Sequence, residues 1–457
     1  MKRSKKLCIL LGILIAVCLA ALAAMLSEEK KEEIKTSGET VLSVESAKVT
    51  ALCWEQGGTT WSFHRGDDGW QYDDDAEFPV SDSAMDALLE PFRSLSAAFT
   101  IENAEDLGRY GLDEPTCTIT LTTDDETYTV KLGDHSTMDS QRYMDIGDGN
   151  VYLAVSDPLD AYDVELEDLI ANDDVPYFDE VSQIRFAGSE DYSVIYDENG
   201  KSICADDIYF TADGKPLDTS RVNSYISVLR YLELTDYVTY KVTDEELSAY
   251  GLDDPDLSVS VDYTDDGTSD TFVLHISRDP AEKKSAADAE DEEASDITAY
   301  ARVGDSKIIY QISGSSYRSL MAAGYNDLRH QEIFSGDFDD VTGIDVTLDG
   351  ETYTLTSQKD GKERTWLCEE AEIEIGDLQD ALETLTAEEF TSEKAAGQQE
   401  ISLTLHLDHE DEPELTITLY RCDGSKCLTV VDGKSVAYVP RGEMVTLAEA
   451  VRAIALN

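Results

Sequence analysis

The 457-residue chain is poor in positive charge: 35 Lys and Arg stand against 97 Asp and Glu, a net charge of −62. Four of those cations (Lys2, Arg3, Lys5, Lys6) lie at the extreme N-terminus, so the rest is more acidic still. Such a surface repels phosphate backbones, which excludes nucleic-acid binding. Histidine is scarce as well, six in all, leaving little general-base material. The chain has no P-loop, no Gly-x-Ser-x-Gly, no His-Glu-x-x-His and no Rossmann fingerprint. It therefore reads as non-enzymatic, with no cofactor and no metal site expected. A hydrolase using unrecognised carboxylates is the outlying alternative, since acidic residues are too abundant here for any pair to be informative. Apolar residues are not lacking. At 41% hydrophobic, with 23 Tyr, 11 Phe and 4 Trp, the chain departs from disordered acidic sequences. Its length predicts about two to four domains.

Residues Leu7–Leu26 form an uncharged run as long as a membrane-spanning helix. Basic residues precede it and Glu28 and Glu29 follow, so the positive-inside rule predicts a cytoplasmic tip and an extracytoplasmic body. Two alternatives stand beside a retained anchor. Ala21-Leu22-Ala23 resembles a signal-peptidase site, and Cys18 could be a lipidated residue. The expectation is a single-pass cell-membrane protein, with residues 1–26 as tip and anchor and 27–42 as a stalk.

The body repeats itself three times. Val49–Phe63, Val181–Tyr196 and Val341–Leu355 each read as two alternating strands around a polar, Gly-containing turn. Third strands are expected around Trp70, Ile203 and Trp366. The period then changes from 2 to 3.6, predicting helices over 81–99, 218–234 and 376–387. Pro91 should kink the first. Four alternating strands and a closing helical stretch (158–171, 315–328, 441–455) complete each copy. The modules are 43–176, 177–336 and 337–457, the second holding an aperiodic acidic insert at 281–296 read as disordered. The fold class expected is α+β: a transmembrane helix, then three tandem modules of antiparallel sheet packed with helices.

Asp106–Pro115 (DLGRYGLDEP) recurs as Glu246–Pro255 (ELSAYGLDDP), 140 residues on. Thr243 with Glu246 fits a capping box, and Asn103 with Asp106 is the counterpart. A helix of about two turns should end at Tyr110 or Tyr250. Gly111 or Gly251 then suits the left-handed position, and Leu112 or Leu252 the apolar contact of a Schellman ending. Asp113 or Asp253 follows, and Pro115 or Pro255 launches the next strand. Each residue has a structural task, so the motif reads as architecture. The third copy lacks it.

Six Cys lie beyond the N-terminal run. Cys53, Cys117, Cys204 and Cys368 fall in apolar strand patterns and read as buried small hydrophobes. Cys422 and Cys427 flank Asp423-Gly424 and could form a disulfide, remain free thiols, or join His406 and His409 at a zinc site. Asp-rich turns at 67–69, 73–75, 145–148 and 197–199 suggest calcium but lack EF-hand spacing; they read as turn chemistry. Weak divalent cation binding follows from charge alone.

The repeated Tyr-Gly-Leu-Asp-x-Pro motif with its following strands, at Asp106–Val155 and Glu246–Ile312, resembles the bacterial domain-of-unknown-function family 4340. Asn326-Asp327-Leu328-Arg329 is similar to that family's inter-repeat segment. The resemblance implies no catalytic residues. It implies a membrane-anchored extracytoplasmic protein encoded near export-type ABC transporters, whose subunits would be partners. The expected function is a non-catalytic binding or accessory component of such a complex. The alternative is an envelope scaffold or adhesin that binds wall polymer or cations through acidic faces.

Overall fold

The computed structural model describes residues 38–102, 104–137, 141–285, 297–360 and 363–455. They form three antiparallel sheets of nine strands each. In the first, Val49–Gln56, Thr59–Gly66 and Gly69–Tyr72 make a three-stranded meander. A helix, Asp82–Arg93, follows. Leu95–Ile101 then runs at the far side of the sheet. Four further strands (Cys117–Thr123, Thr127–His135, Arg142–Asp145, Val151–Ala154) start against Val49–Gln56 and finish against Leu95–Ile101. Alternation is direct in Cys117–Thr123: Cys117, Ile119 and Leu121 are buried while the intervening Thr residues are half-buried. The helix presents Met85, Leu88, Leu89 and Phe92 to the core, four residues on one face at helical spacing.

The same order of eight strands recurs twice. In the second sheet it runs Tyr209–Thr211, Tyr192–Tyr196, Glu180–Gly188, Leu257–Asp265, Thr268–Arg278, Ala299–Val303, Ile309–Ile312, Tyr237–Thr239. In the third it runs Glu363–Cys368, Glu351–Asp360, Val341–Leu348, Gln399–Leu407, Glu414–Arg421, Lys426–Val431, Lys434–Pro440, Glu389–Phe390. Only the ninth strand differs. Glu39–Leu42 extends the first sheet beyond Leu95–Ile101, whereas Pro216–Leu217 and Ala371–Ile373 extend the other two at the opposite edge. The chain divides into two compact units at Asn172/Asp173, so the second and third sheets share one unit.

These observations correct the α+β expectation. The described residues are mostly antiparallel sheet, and helices are few and short. The stretch 81–99 is helical only over Asp82–Arg93. Leu95 and Ala97 are buried two residues apart on a strand paired on both sides, while Leu95 also lies three residues after Phe92 and so continues the helical stripe in sequence. The closing stretch 158–171 holds two single 3₁₀ turns, Pro158–Ala161 and Leu166–Leu169, rather than a helix. Ile203 lies in a loop, and the strand expected there is Tyr209–Thr211. The acidic insert begins as a short helix, Pro280–Ser285, and 286–296 lie outside the described residues.

The transmembrane expectation is corrected as well. Among the described residues no helix is long and apolar enough to cross a membrane. The longest, Arg441–Ala455, has 15 residues and is amphipathic: Met444, Leu447, Val451 and Ile454 face the third core, too short for a hydrocarbon layer about 30 Å thick. Leu7–Leu26 itself lies outside the described residues. The single-pass membrane architecture and the cell-membrane localisation are therefore not carried forward.

Candidate functional site

The Tyr-Gly-Leu-Asp motif is built the same way in both copies. Gly111 and Gly251 have φ of 70° and 71°. Leu112 N–H donates to Leu107 O at 3.1 Å and Leu252 N–H to Leu247 O at 3.0 Å, the long bond of a Schellman ending. Both leucines are buried, while Asp113 and Asp253 are exposed. The Tyr110 ring meets Tyr143 at 4.9 Å, and Tyr250 meets Tyr300 at 5.1 Å, each partner lying on the equivalent strand of its sheet. Pro115 and Pro255 are half-buried just before Cys117–Thr123 and Leu257–Asp265. The preceding helices are shorter than expected, single 3₁₀ turns at Leu107–Tyr110 and Leu247–Ala249. The Glu246 carboxylate accepts from Thr243 N–H at 3.0 Å; Asn103 lies outside the described residues. The third copy has no helix over 391–398.

Cys422 and Cys427 are both free, as are the four other described cysteines. The strand register sets Arg421, not Cys422, opposite Cys427, which explains why the two thiols do not meet. Cys427 is buried, and burial pushes its thiol up to about 11. His406 pairs with Asp345 at 2.9 Å and lies opposite Glu414, at the other end of the Gln399–Leu407/Glu414–Arg421 hairpin from Cys422. The four zinc donors considered in the sequence are thus not brought together. The Asp-rich turns at 145–148 and 197–199 use their carboxylates internally: Asp145 accepts from Gly147 N–H, Asp148 from Asn150 N–H and Tyr152 O–H, and Asp197 from Asn199 N–H.

The structure instead converges polar side chains between the second and third sheets. The loop after Tyr192–Tyr196 carries Ser202, Ile203, Cys204 and Asp207. Ile203 packs against the third core. A turn in this loop is closed by Asp207 N–H donating to Cys204 O at 3.2 Å. Thr219 O–H donates to Asp206 O at 2.9 Å, fixing the loop to the start of the helix Thr219–Arg230. The segment joining the two sheets carries His330 and Glu332. It pairs with the third module: Ala387 N–H donates to Gln331 O and Ile333 N–H to Leu385 O. Phe334 and Ile333 complete the third core.

Here the Asp207 side chain is fully buried and the His330 side chain 16% exposed. His330 Nε2 lies 2.9 and 3.0 Å from the two Asp207 oxygens. Ser202 O–H donates to Asp207 Oδ2 at 2.7 Å. On the other side of the ring, Glu332 stands 3.8 Å from His330 Nδ1. Burial pulls the His330 pKa down, but the hydrogen bond and charge of Asp207, with the charges of Asp218 and Glu332, outweigh it and raise it above the ordinary value. Burial raises the Cys204 pKa, opposed by a hydrogen bond from the Asp206 backbone and helped by the charge of Asp207. A cleft of about 330 Å³ opens beside these residues. No spacing signal in the sequence joins 204 and 207 to 330. The apolar pattern around Cys204 suggests a strand residue, and nothing local to Asp207 reveals a partner 123 residues away.

The fold and this junction define a tandem-module protein of antiparallel sheets with a polar cluster between two of its modules. Comparison with known families places it further. The family model described as Domain of unknown function (DUF4340) matches residues 70–255 and again 209–404, so the chain belongs to that family. The two matches begin 139 residues apart, close to the spacing of the repeated Tyr-Gly-Leu-Asp motif. No curated protein and no solved structure matches the chain.

Proposed function

We propose that this protein is a non-catalytic binding or accessory component of a larger protein assembly. The observation that supports this most directly is the threefold repetition of one sheet topology. A module repeated three times in one chain can offer a partner more than one similar contact, which suits binding. Tyr177 and Tyr231 add support: they are 60% and 74% exposed, and the Arg230 guanidinium lies 4.5 Å from the Tyr177 ring. Exposed Tyr and Arg together are the side chains that dominate protein interfaces. Transporter-type subunits remain the partner class to test. The experiment is affinity capture of the full chain from its native cells after cross-linking, with partners identified by mass spectrometry. Reproducible recovery of the same protein partners, reduced by Tyr177→Ala/Tyr231→Ala, is the expected result. A chain recovered alone and monomeric would overturn the reading.

A second reading, a scaffold binding polymer or cations through acidic faces, is favoured by the net charge of −62. It predicts saturable calcium binding by the full chain at physiological ionic strength, and no such binding would remove it.

A further inference from the structure

We propose that Cys204, Asp207 and His330 form a binding site for a borderline divalent metal of the zinc class. One donor atom from each of these three side chains lies within 4.8 Å of the other two. Tetrahedral zinc with bonds of about 2.0–2.3 Å sets its donors roughly 3.3–3.8 Å apart. The cluster is thus close to a coordinating arrangement without refolding. The donor set is a thiolate, an imidazole and a carboxylate, which selects zinc-like ions over calcium or magnesium.

The surroundings support this assignment independently of the three donors. Metal-bound histidines usually direct their other ring nitrogen at a carboxylate, which orients the ring. Glu332 stands at Nδ1 of His330 on the side away from Asp207. Ligating carboxylates are themselves held by hydrogen bonds, and Ser202 O–H holds Asp207 Oδ2. Ser202 also accepts from Cys204 N–H at 3.1 Å, so one hydroxyl orients two of the three donors. Asp218 lies near His330 as well. Its Oδ1 already caps the helix Thr219–Arg230 through Ser220 N–H and Arg221 N–H, which assigns it to the helix. Three protein donors beside an open cleft leave a fourth position for water or a partner's side chain. On coordination the Cys204 thiol gives its proton to solvent and binds as thiolate. The proton that His330 Nε2 shares with Asp207 leaves as well, so that the ring binds through Nε2 with its remaining proton on Nδ1. The ion would clip the second module's loop to the segment that pairs with the third module.

The test uses the full-length protein, stripped with chelator and titrated with cobalt(II) and then zinc(II). One tight equivalent per chain is expected, with a thiolate-to-cobalt charge-transfer band that zinc abolishes. Cys204→Ser should remove the band, and Asp207→Asn and His330→Ala the tight equivalent. Glu332→Gln, which leaves all three ligands in place, should weaken binding by about 10–100-fold. Circular dichroism of each variant reports folding, and the Glu332→Gln and Cys204→Ser variants are the mildest of the set. Absence of a tight equivalent in the wild-type protein would overturn the proposal and leave the cluster a structural ion pair. Equal uptake by the wild-type and Cys204→Ser proteins would overturn it too, by tracing the metal to the acidic surface.

Discussion

Gly111 and Gly251 hold the same left-handed conformation in two modules, yet their surroundings differ. A Cβ at Gly111 would come within 2.8 Å of the Asp134 backbone nitrogen, whereas at Gly251 the nearest atom is the Ser277 hydroxyl oxygen at 2.6 Å. A side chain can rotate away and a strand backbone cannot. Both Ala substitutions should destabilise, by roughly 1–3 kcal/mol for the backbone strain alone, with Gly111→Ala the worse of the two in urea titrations. Charge acts at this scale as well. Arg185 holds Asp262 through two hydrogen bonds, the longer at 2.7 Å. That bond, opposed by partial burial and helped by Thr271, lowers the Asp262 pKa. A depressed carboxylate pKa contributes stability that is present above the unfolded value, near pH 4, and lost as pH falls through the folded one. Both side chains are partly exposed, 40% and 30%, so the pair contributes about 0.2–1 kcal/mol. Asp262→Asn should therefore cost that much at pH 7 and progressively less as the pH falls below 4, measured by urea unfolding at each pH.

The helices are short, and each depends on its cap and on one apolar face. Ser81 accepts from Ala84 N–H at the start of Asp82–Arg93. Ser81→Ala should cost about 1 kcal/mol. Phe92 is fully buried at the other end, with its ring 6.1 Å from that of Tyr162. Tyr162 in turn donates its hydroxyl to Leu88 O at 2.9 Å, so helix and 3₁₀ turn close over the first sheet together. Phe92→Ala should destabilise by roughly 3–5 kcal/mol, and thermal unfolding followed by circular dichroism would show the difference between cap and core. The segment 94–99 illustrates why elements were harder to read than residues. Its apolar positions satisfy both periods, and pairing of Leu95–Ile101 with Val151–Ala154 on one side and Glu39–Leu42 on the other selects the strand.

For the whole molecule, the second and third sheets belong to one compact unit, each with its own buried helix face. Leu229→Ala in the second module and Leu382→Ala in the third should lower the same calorimetric transition, each by roughly 2–5 kcal/mol. Their separation into distinct transitions would contradict that unity. The net charge of −62 also acts on the molecule as a whole. Like charges repel in the compact state and salt screens them, so the unfolding temperature should rise as sodium chloride is increased from low concentration. A flat or falling midpoint would show that local ion pairs dominate instead.

The threefold repeat, the hairpins and the Tyr-Gly-Leu-Asp turns were determined by the sequence itself, because each depends on neighbours a few residues away. Alternation shows which face of Cys117–Thr123 is buried, and a glycine followed by a leucine suffices for a Schellman ending. The balance of sheet over helix was decided only by tertiary structure, since marginal segments take the state their partners impose. The junction was decided there too. Ile203 turns from its own sheet to the third core, and the loop it anchors carries Cys204 and Asp207 to His330. That meeting depends on how a connecting segment packs between two sheets, and side chains 123 residues apart share no local signal that could announce it.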